Sequence, residues 1–357
     1  MYNYLMQLAE KYNMPFERVI SIALNRYGIL IPNIPDNRLR FNLKLLDSNE
    51  TNYYAVCINT YLKSPFTIKK GNLMLENIPV GIISNIEKDT CLSTYFRNNK
   101  KAITFNSNSR SKCIGCKFCG TYSLSDDDVI IFDSKEKVQQ YFNNLLHKNQ
   151  IATMSDIEDI TICTGCFENE NKLIEHLLMV SESFKEMGFN GRLNYIGSQL
   201  RNYNKISMLK NNIGNFGIYF SIEKFIDREK FMKPEKSSLT MEKAKELMNY
   251  CTKLDITTTF LYILGLEKIE TIEYYFSYLK DSINKFPIVQ VFQDYTINQE
   301  QYRIPEAKDV EYYLKARETI NNILKDKEYS PNSWECFRSL YFKDKKTKEL
   351  IKKWMKK

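Results

Sequence analysis

The sequence predicts an α/β fold in which six strand–helix units follow a small N-terminal α+β region. From about residue 100 onward, short β-branched or aromatic runs alternate with longer amphipathic segments, which is the pattern of repeated βα units. Residues 1–100 lack this alternation. No GxGxxG turn follows any predicted strand, and this favours a barrel or partial barrel over an open doubly wound sheet.

The six units are read directly from the alternation. Strands are predicted at 102–105, 157–163, 192–196, 217–222, 256–264 and 287–292, and helices at 135–148, 171–187, 203–210, 240–253, 270–285 and 307–325. Parallel strands joined by helices are covered on both faces. In barrels of this kind the chemistry collects at the carboxyl ends of the strands. We therefore predict a partial (β/α)6 barrel of the TIM type, with both Cys groups of the sequence at strand ends.

Three regions are expected along the chain. Residues 1–100 read as amphipathic helical segments and then several short strands, with turns at Asn72 and Gly81. This small α+β region is either a packing subdomain or a substrate-binding module. Residues 101–300 form the predicted barrel, and residues 301–357 form C-terminal helices with a Lys-rich tail.

Composition places the chain among ordinary globular proteins. Of its 357 residues 43% are hydrophobic and 26% are charged, with 12 Gly and 9 Pro, which excludes collagen-like and disordered classes. The net charge of +8 is uneven, because residues 343–357 carry +6 of it. The rest of the chain is nearly neutral, so nucleic acid is not the expected partner. The basic tail nevertheless leaves an RNA-modifying role open.

The sequence predicts a cytoplasmic protein without a membrane partner. No run approaches the roughly 18 apolar residues that span a bilayer, and residues 1–12 lack the charged start and apolar core of a signal peptide. In a reducing compartment the nine Cys do not form a disulfide framework. Clustered Cys therefore indicate metal or redox chemistry.

Three cysteines lie within seven residues, in the stretch Ser111-Lys-Cys113-Ile-Gly-Cys116-Lys-Phe-Cys119-Gly120. The stretch follows the first predicted barrel strand, so a single loop can wrap one inorganic group. Three thiolates are one fewer than the four that normally hold a 4Fe-4S cluster, which would leave one iron open for a small molecule. A structural zinc site is normally closed by four ligands.

On these residues the chain resembles the radical S-adenosylmethionine (radical SAM) superfamily. Its members bind a 4Fe-4S cluster through three Cys on the loop after the first strand of a partial (β/α)6 barrel. The open iron chelates S-adenosylmethionine (SAM), whose reductive cleavage gives a 5′-deoxyadenosyl radical. The resemblance implies that Cys113, Cys116 and Cys119 are metal ligands and that Phe118 and Gly120 lie at the cofactor. The CxxCxxC motif is atypical, because the family has three residues between the first two Cys.

Later strand ends extend the resemblance. Thr164-Gly165-Cys166-Phe167-Glu168 is similar to the GGE-like turn that holds the SAM amino group, although Cys166 replaces a Gly and the carboxylate is displaced. Ser221-Ile-Glu223 is similar to strand ends that reach the ribose and carboxylate groups of SAM. Overall the resemblance implies cofactor contacts at Thr164, Gly165, Glu168, Ser198, Ser221, Glu223, Arg228, Gly265 and Phe292.

The implied enzyme abstracts hydrogen from a small-molecule or peptide substrate and takes electrons from a donor such as flavodoxin or ferredoxin. The candidate catalytic residues are Cys166, Tyr195 and Glu223, chosen by their location at strand ends. His147 and His176 fall in predicted barrel helices and are expected to be surface residues.

Other interpretations stay open at the sequence level. Two CxxC pairs, Cys113 with Cys116 and Cys163 with Cys166, could close around structural zinc in a protein that recognises a partner. This interpretation leaves Cys119 without a role. Within the family resemblance, Cys163 and Cys166 are ligands of a second site, a reactive thiol pair or small residues chosen for packing.

Overall fold

The computed structural model describes residues 1–32, 37–46, 48, 51–59, 64–89, 94–108, 115–119, 131–295, 297–327 and 340–341. The chain forms two compact units. Unit 1 comprises Met1–Cys91, Tyr262–Lys280 and Ile288–Lys357, and unit 2 comprises Leu92–Leu261 and Asp281–Pro287. The mixed helices and strands of both units confirm the predicted α/β class.

Unit 1 begins with two helices and an antiparallel sheet. Its elements there are α1 (Tyr2–Lys11), α2 (Phe16–Tyr27), β1 (Asn37–Leu45), β2 (Thr51–Ile58), β3 (Phe66–Lys69), β4 (Asn72–Leu75) and β5 (Ile78–Asp89). The strand order is β2-β1-β5-β4-β3. Both helices are amphipathic and bury the apolar residues that predict them, including Leu5, Leu8, Val19 and Ile22. Helices followed by strands are thus observed among the described residues of this region, and its boundaries and role stay a prediction.

The predicted turns at Asn72 and Gly81 are wrong. The hairpin turn between β3 and β4 lies one position earlier, at Lys70 and Gly71, where both residues have positive φ. Asn72 is the first residue of β4. Gly81 lies inside β5, where an added Cβ would press against the side chain of Leu43 on β1. The glycine at 81 thus marks a close approach of two strands rather than a turn.

Unit 2 contains most of a seven-stranded sheet. The strands are β6 (Tyr95–Arg97), β7 (Ala102–Asn108), β8 (Asp159–Thr164), β9 (Arg192–Gly197), β10 (Phe216–Glu223), β11 (Thr257–Leu264) and β12 (Ile288–Val291), in the order β12-β11-β10-β9-β8-β7-β6. The chain of β11 passes from unit 2 into unit 1. β7, β8, β9 and β10 pair in parallel, and β6 adds an antiparallel edge to β7.

The order of the parallel strands follows the order of the sequence without a reversal. A doubly wound sheet would reverse at a switch point. The observed order is therefore that of a barrel-type sheet, as predicted. Its closure into a (β/α)6 arrangement stays a prediction.

Helices follow β7 to β12 along the chain. They are α3 (Lys135–Lys148), α4 (Glu170–Glu186), α5 (Tyr203–Ile213), α6 (Arg228–Phe231), α7 (Pro234–Ser237), α8 (Met241–Lys253), α9 (Ile269–Leu279), α10 (Ile297–Glu300) and α11 (Val310–Leu324). Five of the long helices begin at a side chain that accepts a hydrogen bond from the first turn: Ser134, Asn169, Asn202, Thr240 and Asp309. Local sequence therefore fixes where these helices start.

The predicted helix 270–285 is too long, because α9 ends at Leu279. Beyond it the chain is bound to the start of β11 instead. The Asn284 side chain accepts from the backbone N–H of Thr258 at 2.7 Å and donates to the Ile256 carbonyl at 3.0 Å. Ile283 is also buried, so its apolar side chain continued a helical pattern that the backbone does not follow.

A buried ionic cluster holds the amino ends of the parallel strands. Asp159, at the start of β8, accepts from Arg192 Nη2 at 3.1 Å and from Asn194 Nδ2 at 2.9 Å. Arg97 Nη2 lies 3.6 Å from the other Asp159 oxygen and donates to Thr161 Oγ1 at 3.1 Å. At this end of a barrel-type sheet such residues serve stability.

Among the described residues, no helix is both long and apolar enough to cross a membrane.

Candidate functional site

A pocket opens in unit 2 at the carboxyl ends of β8, β9 and β10. Its volume is about 110 Å³. On this measure one water needs roughly 10–15 Å³, so the pocket is far larger than a single water site. The wall is made by Cys116, Phe118, Cys119, Thr164, Gly165, Cys166, Tyr195, Ile196, Gly197, Ser198, Gln199, Ser221, Glu223, Lys233 and Lys236.

The described part of the Cys loop forms one side of the wall. A turn brings Cys116 and Cys119 together, with the Cys119 N–H donating to the Cys116 carbonyl at 2.8 Å. The Lys117 N–H donates to the Phe231 carbonyl at 2.9 Å and ties the loop to α6. Phe118 is buried in the same wall. The loop is thereby fixed against the segment that follows β10.

Some residues of the predicted metal site lie outside the described residues, namely Cys113 and Gly120. Within the part of the chain that the structure describes, no group of three His, Cys, Asp or Glu side chains could by itself hold a metal ion. The predicted three-Cys ligand set therefore stays a prediction.

The end of β10 carries a strained turn that presents Glu223. Its φ is +62°, in the left-handed region, and the Lys224 N–H donates to the Ile222 carbonyl at 2.7 Å across it. A bond over three residues with positive φ is a γ-turn of the strained kind. Non-glycine residues held in this way cluster at functional sites.

Glu223 has one paired and one unpaired oxygen. Oε1 accepts from Lys236 Nζ at 2.7 Å, and the two side chains are 12% and 18% exposed. Oε2 is buried without a hydrogen-bond partner among the described residues. An unsatisfied buried carboxylate oxygen is costly, so the geometry favours a donor from a bound molecule at this point.

Arg228 holds this corner from behind and is not part of the pocket wall. Its Nη1 donates to the carbonyls of Ile222 and Lys224, on either side of the γ-turn. Its Nη2 donates to the Lys236 carbonyl at 2.8 Å. The guanidinium thus positions both Glu223 and Lys236. Its implied contact with the SAM carboxylate stays a prediction.

Charges inside the pocket act on one another. Burial lowers the pKa of Lys236, but the attraction of Glu223 and Cys116 outweighs it and raises the pKa, so the ammonium is retained. Burial raises the pKa of the Cys116 thiol to about 11. Lys236 opposes that shift more strongly than Glu223 reinforces it, and a hydrogen bond from the Lys233 backbone opposes it further. A metal that binds here must displace the thiol proton.

The end of β9 requires a glycine. The Tyr195 side chain folds over Gly197, so that a Cβ on residue 197 would overlap the Tyr195 hydroxyl. Burial, and then the nearby Cys166, raise the pKa of Tyr195, which keeps the phenol protonated. Ser198 is 2% exposed, and its Oγ has no hydrogen-bond partner among the described residues. Two buried oxygens without partners therefore belong to one pocket, one on Glu223 and one on Ser198.

The turn after β8 is held by an amide clamp. The Phe167 N–H donates to Gln199 Oε1 at 3.0 Å, and Gln199 Nε2 donates to the Phe167 carbonyl at 2.9 Å. The clamp places Cys166 in the wall with 7% of its surface exposed. Glu168, one residue beyond the clamp, is exposed and lies outside the wall.

His176 corrects the prediction of a surface position. On α4 it is 8% exposed, its Nε2 lies 2.7 Å from Ser107 Oγ, and its ring packs 5.1 Å from the ring of Phe167. Burial lowers its pKa to about 4, so the imidazole is neutral near pH 7. His147 is exposed, as predicted.

Ten of the predicted site residues share this pocket: Cys116, Phe118, Cys119, Thr164, Gly165, Cys166, Tyr195, Ser198, Ser221 and Glu223. Gly265 and Phe292 belong to unit 1, where a Cβ on Gly265 would lie 3.2 Å from the Cβ of Phe292. Their predicted role at the cofactor stays a prediction.

Sequence reasoning missed part of the wall, namely Ile196, Gly197, Gln199, Lys233 and Lys236. The Gly-Ser-Gln run at the end of a predicted strand was a usable signal, because glycine there marks a close approach. Lys233 and Lys236 gave no such signal, because the sequence Lys233-Pro-Glu-Lys236 between predicted helices is typical of a solvated turn.

Comparisons with known proteins were made by sequence and by structure. No protein-family model matches the chain, and no curated protein matches its sequence. Among solved structures, SuiB of Streptococcus suis bound to S-adenosylmethionine aligns with a TM-score of 0.46 and 9% identity. The alignment covers 64% of this chain and 49% of SuiB.

Two structures of TsrM from Kitasatospora setae, a radical S-adenosylmethionine methyltransferase, also align. One contains tryptophan substrate and a SAM analogue, and the other contains cobalamin and a [4Fe-4S] cluster. Each has a TM-score of 0.36, with 12% and 13% identity, and covers 54% of this chain. This chain spans about half the length of SuiB and about a third of TsrM. At these TM-scores the functional argument depends on the pocket itself.

Proposed function

We propose that this chain is a radical SAM enzyme. It would hold a 4Fe-4S cluster through Cys113, Cys116 and Cys119 and bind SAM in the pocket of unit 2. One observation carries the proposal: two motif thiols share a strand-end pocket with the unpartnered buried oxygens of Glu223 and Ser198. The substrate is proposed to be a small molecule or a peptide, and the electron donor a flavodoxin or ferredoxin.

The described thiols suit an iron–sulfur ligand set. Cys116 is buried, accepts a hydrogen bond from the Lys233 backbone and interacts with the Lys236 ammonium. Hydrogen bonds and positive charge near cluster sulfurs stabilise the anionic thiolates. With Cys113 as third ligand, one iron would stay open toward the pocket.

The opposite wall suits the amino acid end of SAM, which carries an ammonium and a carboxylate. Glu223 Oε2 is a buried acceptor suited to the ammonium, and Lys236 Nζ is a cation suited to the carboxylate. Ser198 Oγ offers a further polar contact. Because Arg228 holds the γ-turn and α7, Glu223 and Lys236 need little reorganisation when a ligand binds.

Bound together, the cluster and SAM would supply the radical chemistry that removes hydrogen from the substrate. The residues of this chain orient the ligand and exclude water from it. The buried Tyr195 phenol keeps its proton beside Cys166. Tyr195 and Cys166 are therefore the proposed hydrogen donors in the pocket wall. Phe118 covers the ligand from the Cys loop.

Anaerobic reconstitution with iron and sulfide tests the proposal. We expect about four irons per chain, as a 4Fe-4S cluster requires, and formation of 5′-deoxyadenosine from SAM with dithionite. Cys116→Ala should lose both, whereas Cys251→Ala, which changes a buried thiol of α8 outside the pocket, should keep both. A wild-type protein that binds no iron, or whose cluster leaves SAM intact, contradicts the proposal.

A structural zinc site is the second candidate, because Cys116 and Cys166, one from each CxxC pair, line the same pocket. Among the described residues no group of three His, Cys, Asp or Glu side chains could hold a metal ion by itself, so Cys113 and Cys163 would have to complete the set. Zinc prefers four thiolate or imidazole ligands, and Cys166 would then be one of them. Metal analysis after anaerobic purification separates the candidates. Stoichiometric zinc that is lost in Cys166→Ala favours the structural site, and iron retained in that variant favours the cluster.

A further inference from the structure

The ion pair of Lys236 and Glu223 lies beside the two described thiols of the Cys loop. All four side chains line the same pocket, and the Lys236 ammonium interacts with both Cys116 and Cys119. Because the ammonium and the carboxylate carry opposite charges in one pocket, they act on these thiols with opposite signs. Lys236 is 18% exposed, which limits screening by water and salt.

Neighbouring residues hold both the backbone and the ammonium of Lys236. Arg228 Nη2 donates to the Lys236 carbonyl at 2.8 Å, and the Lys117 N–H holds the Cys loop to the same segment through the Phe231 carbonyl. The segment from α6 to α7 thus holds the backbone of Lys236 beside the Cys loop, and Glu223 holds its ammonium.

We propose that Lys236 raises the reduction potential of the cluster held by these thiols and that Glu223 partly opposes it. This inference rests on the proposed function. Reduction adds one electron, and hence one negative charge, to a site of low dielectric. A nearby ammonium stabilises the reduced form relative to the oxidised form, whereas a carboxylate destabilises it. The electron comes from the reductant, and no proton or bond changes hands in this step.

The test is a redox titration of the reconstituted protein, followed by electron paramagnetic resonance, without SAM. At a fixed potential, Lys236→Met should lower the ratio of reduced to oxidised cluster about tenfold, which corresponds to about 59 mV for one electron. Glu223→Gln should raise the ratio. Lys236→Arg should restore the wild-type value, because it keeps the charge.

The matched control is Lys230→Met, which removes an exposed lysine of α6 that pairs with Asp227. It should leave the potential unchanged. Equal potentials in wild type, Lys236→Met and Glu223→Gln overturn the inference, and so does a shift of the same sign in both variants, which would indicate a general loss of structure. If the wild type forms no cluster, the proposed function itself fails, and this outcome is distinct from an unchanged potential.

Discussion

At the scale of single residues, the pocket depends on groups held in unfavourable states. Glu223 has a strained backbone and a buried oxygen without a partner among the described residues. At position 197 only a glycine leaves room for the Tyr195 side chain, which a Cβ would overlap. Such features lower stability, and strained residues of the kind seen at Glu223 cluster at functional sites.

Glu223→Gln should weaken SAM binding to the reconstituted protein about tenfold, which corresponds to about 1.4 kcal/mol. The amide keeps the shape of the side chain but removes the charge that faces the ligand ammonium. Equilibrium dialysis under anaerobic conditions measures the dissociation constant. Glu229→Gln, an exposed substitution on α6, is the control. Equal affinities of wild type and Glu223→Gln would contradict the assigned contact.

His176 should make stability depend on pH. The pKa of His176 is about 4 in the folded protein, against an ordinary value of 6.5, so folding favours the neutral imidazole. That contribution is present above pH 6.5 and is lost as the pH falls toward 4. Between pH 7.5 and 5.0 the wild type should lose about 2 kcal/mol more free energy of unfolding than His176→Gln.

Urea denaturation at the two pH values measures this difference. His147→Gln changes an exposed histidine and should behave as the wild type does. If wild type and His176→Gln lose the same stability, burial of the neutral imidazole is not the cause.

At the scale of elements, the two ends of the parallel strands have different tasks. The amino ends carry the Asp159 cluster, in which one buried carboxylate is shared by Arg97, Arg192 and Asn194. The carboxyl ends carry the pocket, where Ser198 Oγ and Glu223 Oε2 are buried without a hydrogen-bond partner among the described residues. This division is typical of barrel-type sheets.

Asp159→Asn should destabilise unit 2 by about 3 kcal/mol, because it leaves Arg97 and Arg192 without their shared buried counter-charge. The comparison is Glu158→Gln, which breaks only an exposed pair with Lys101 and should cost less than about 1 kcal/mol. Urea denaturation of both variants gives the two values. Similar costs would mean that the cluster does not stabilise the strands.

At the scale of the whole molecule, ligand binding should stabilise the folded chain. For the reconstituted protein, SAM at 100 times its dissociation constant should add about 2.7 kcal/mol to the free energy of unfolding. Anaerobic denaturation with and without SAM measures this gain. Cys116→Ala should show no gain, and an equal gain in both proteins would place the SAM site away from the Cys loop.

The sequence by itself determined the repeated units, the starts of the capped helices and the residue types that meet at the strand ends. These follow from periodicity and from side chains that act within one or two turns, such as Ser134 and Thr240. It also located the Cys loop, since three thiols in seven residues have few structural uses.

Only the tertiary structure decided which charges meet in the pocket. His176 bonds to Ser107, 69 positions earlier, and the pairing of Glu223 with Lys236 spans 13 positions. Arg228 lies behind the wall because it bonds to carbonyls 4 to 8 positions away, which the apolar periodicity does not identify. Similarly, α9 ends at Leu279, and beyond it the Asn284 side chain bonds to the backbone of Ile256 and Thr258 at the start of β11. Periodicity shows which face of an element is apolar, but the partners of a polar group depend on which other elements pack beside it.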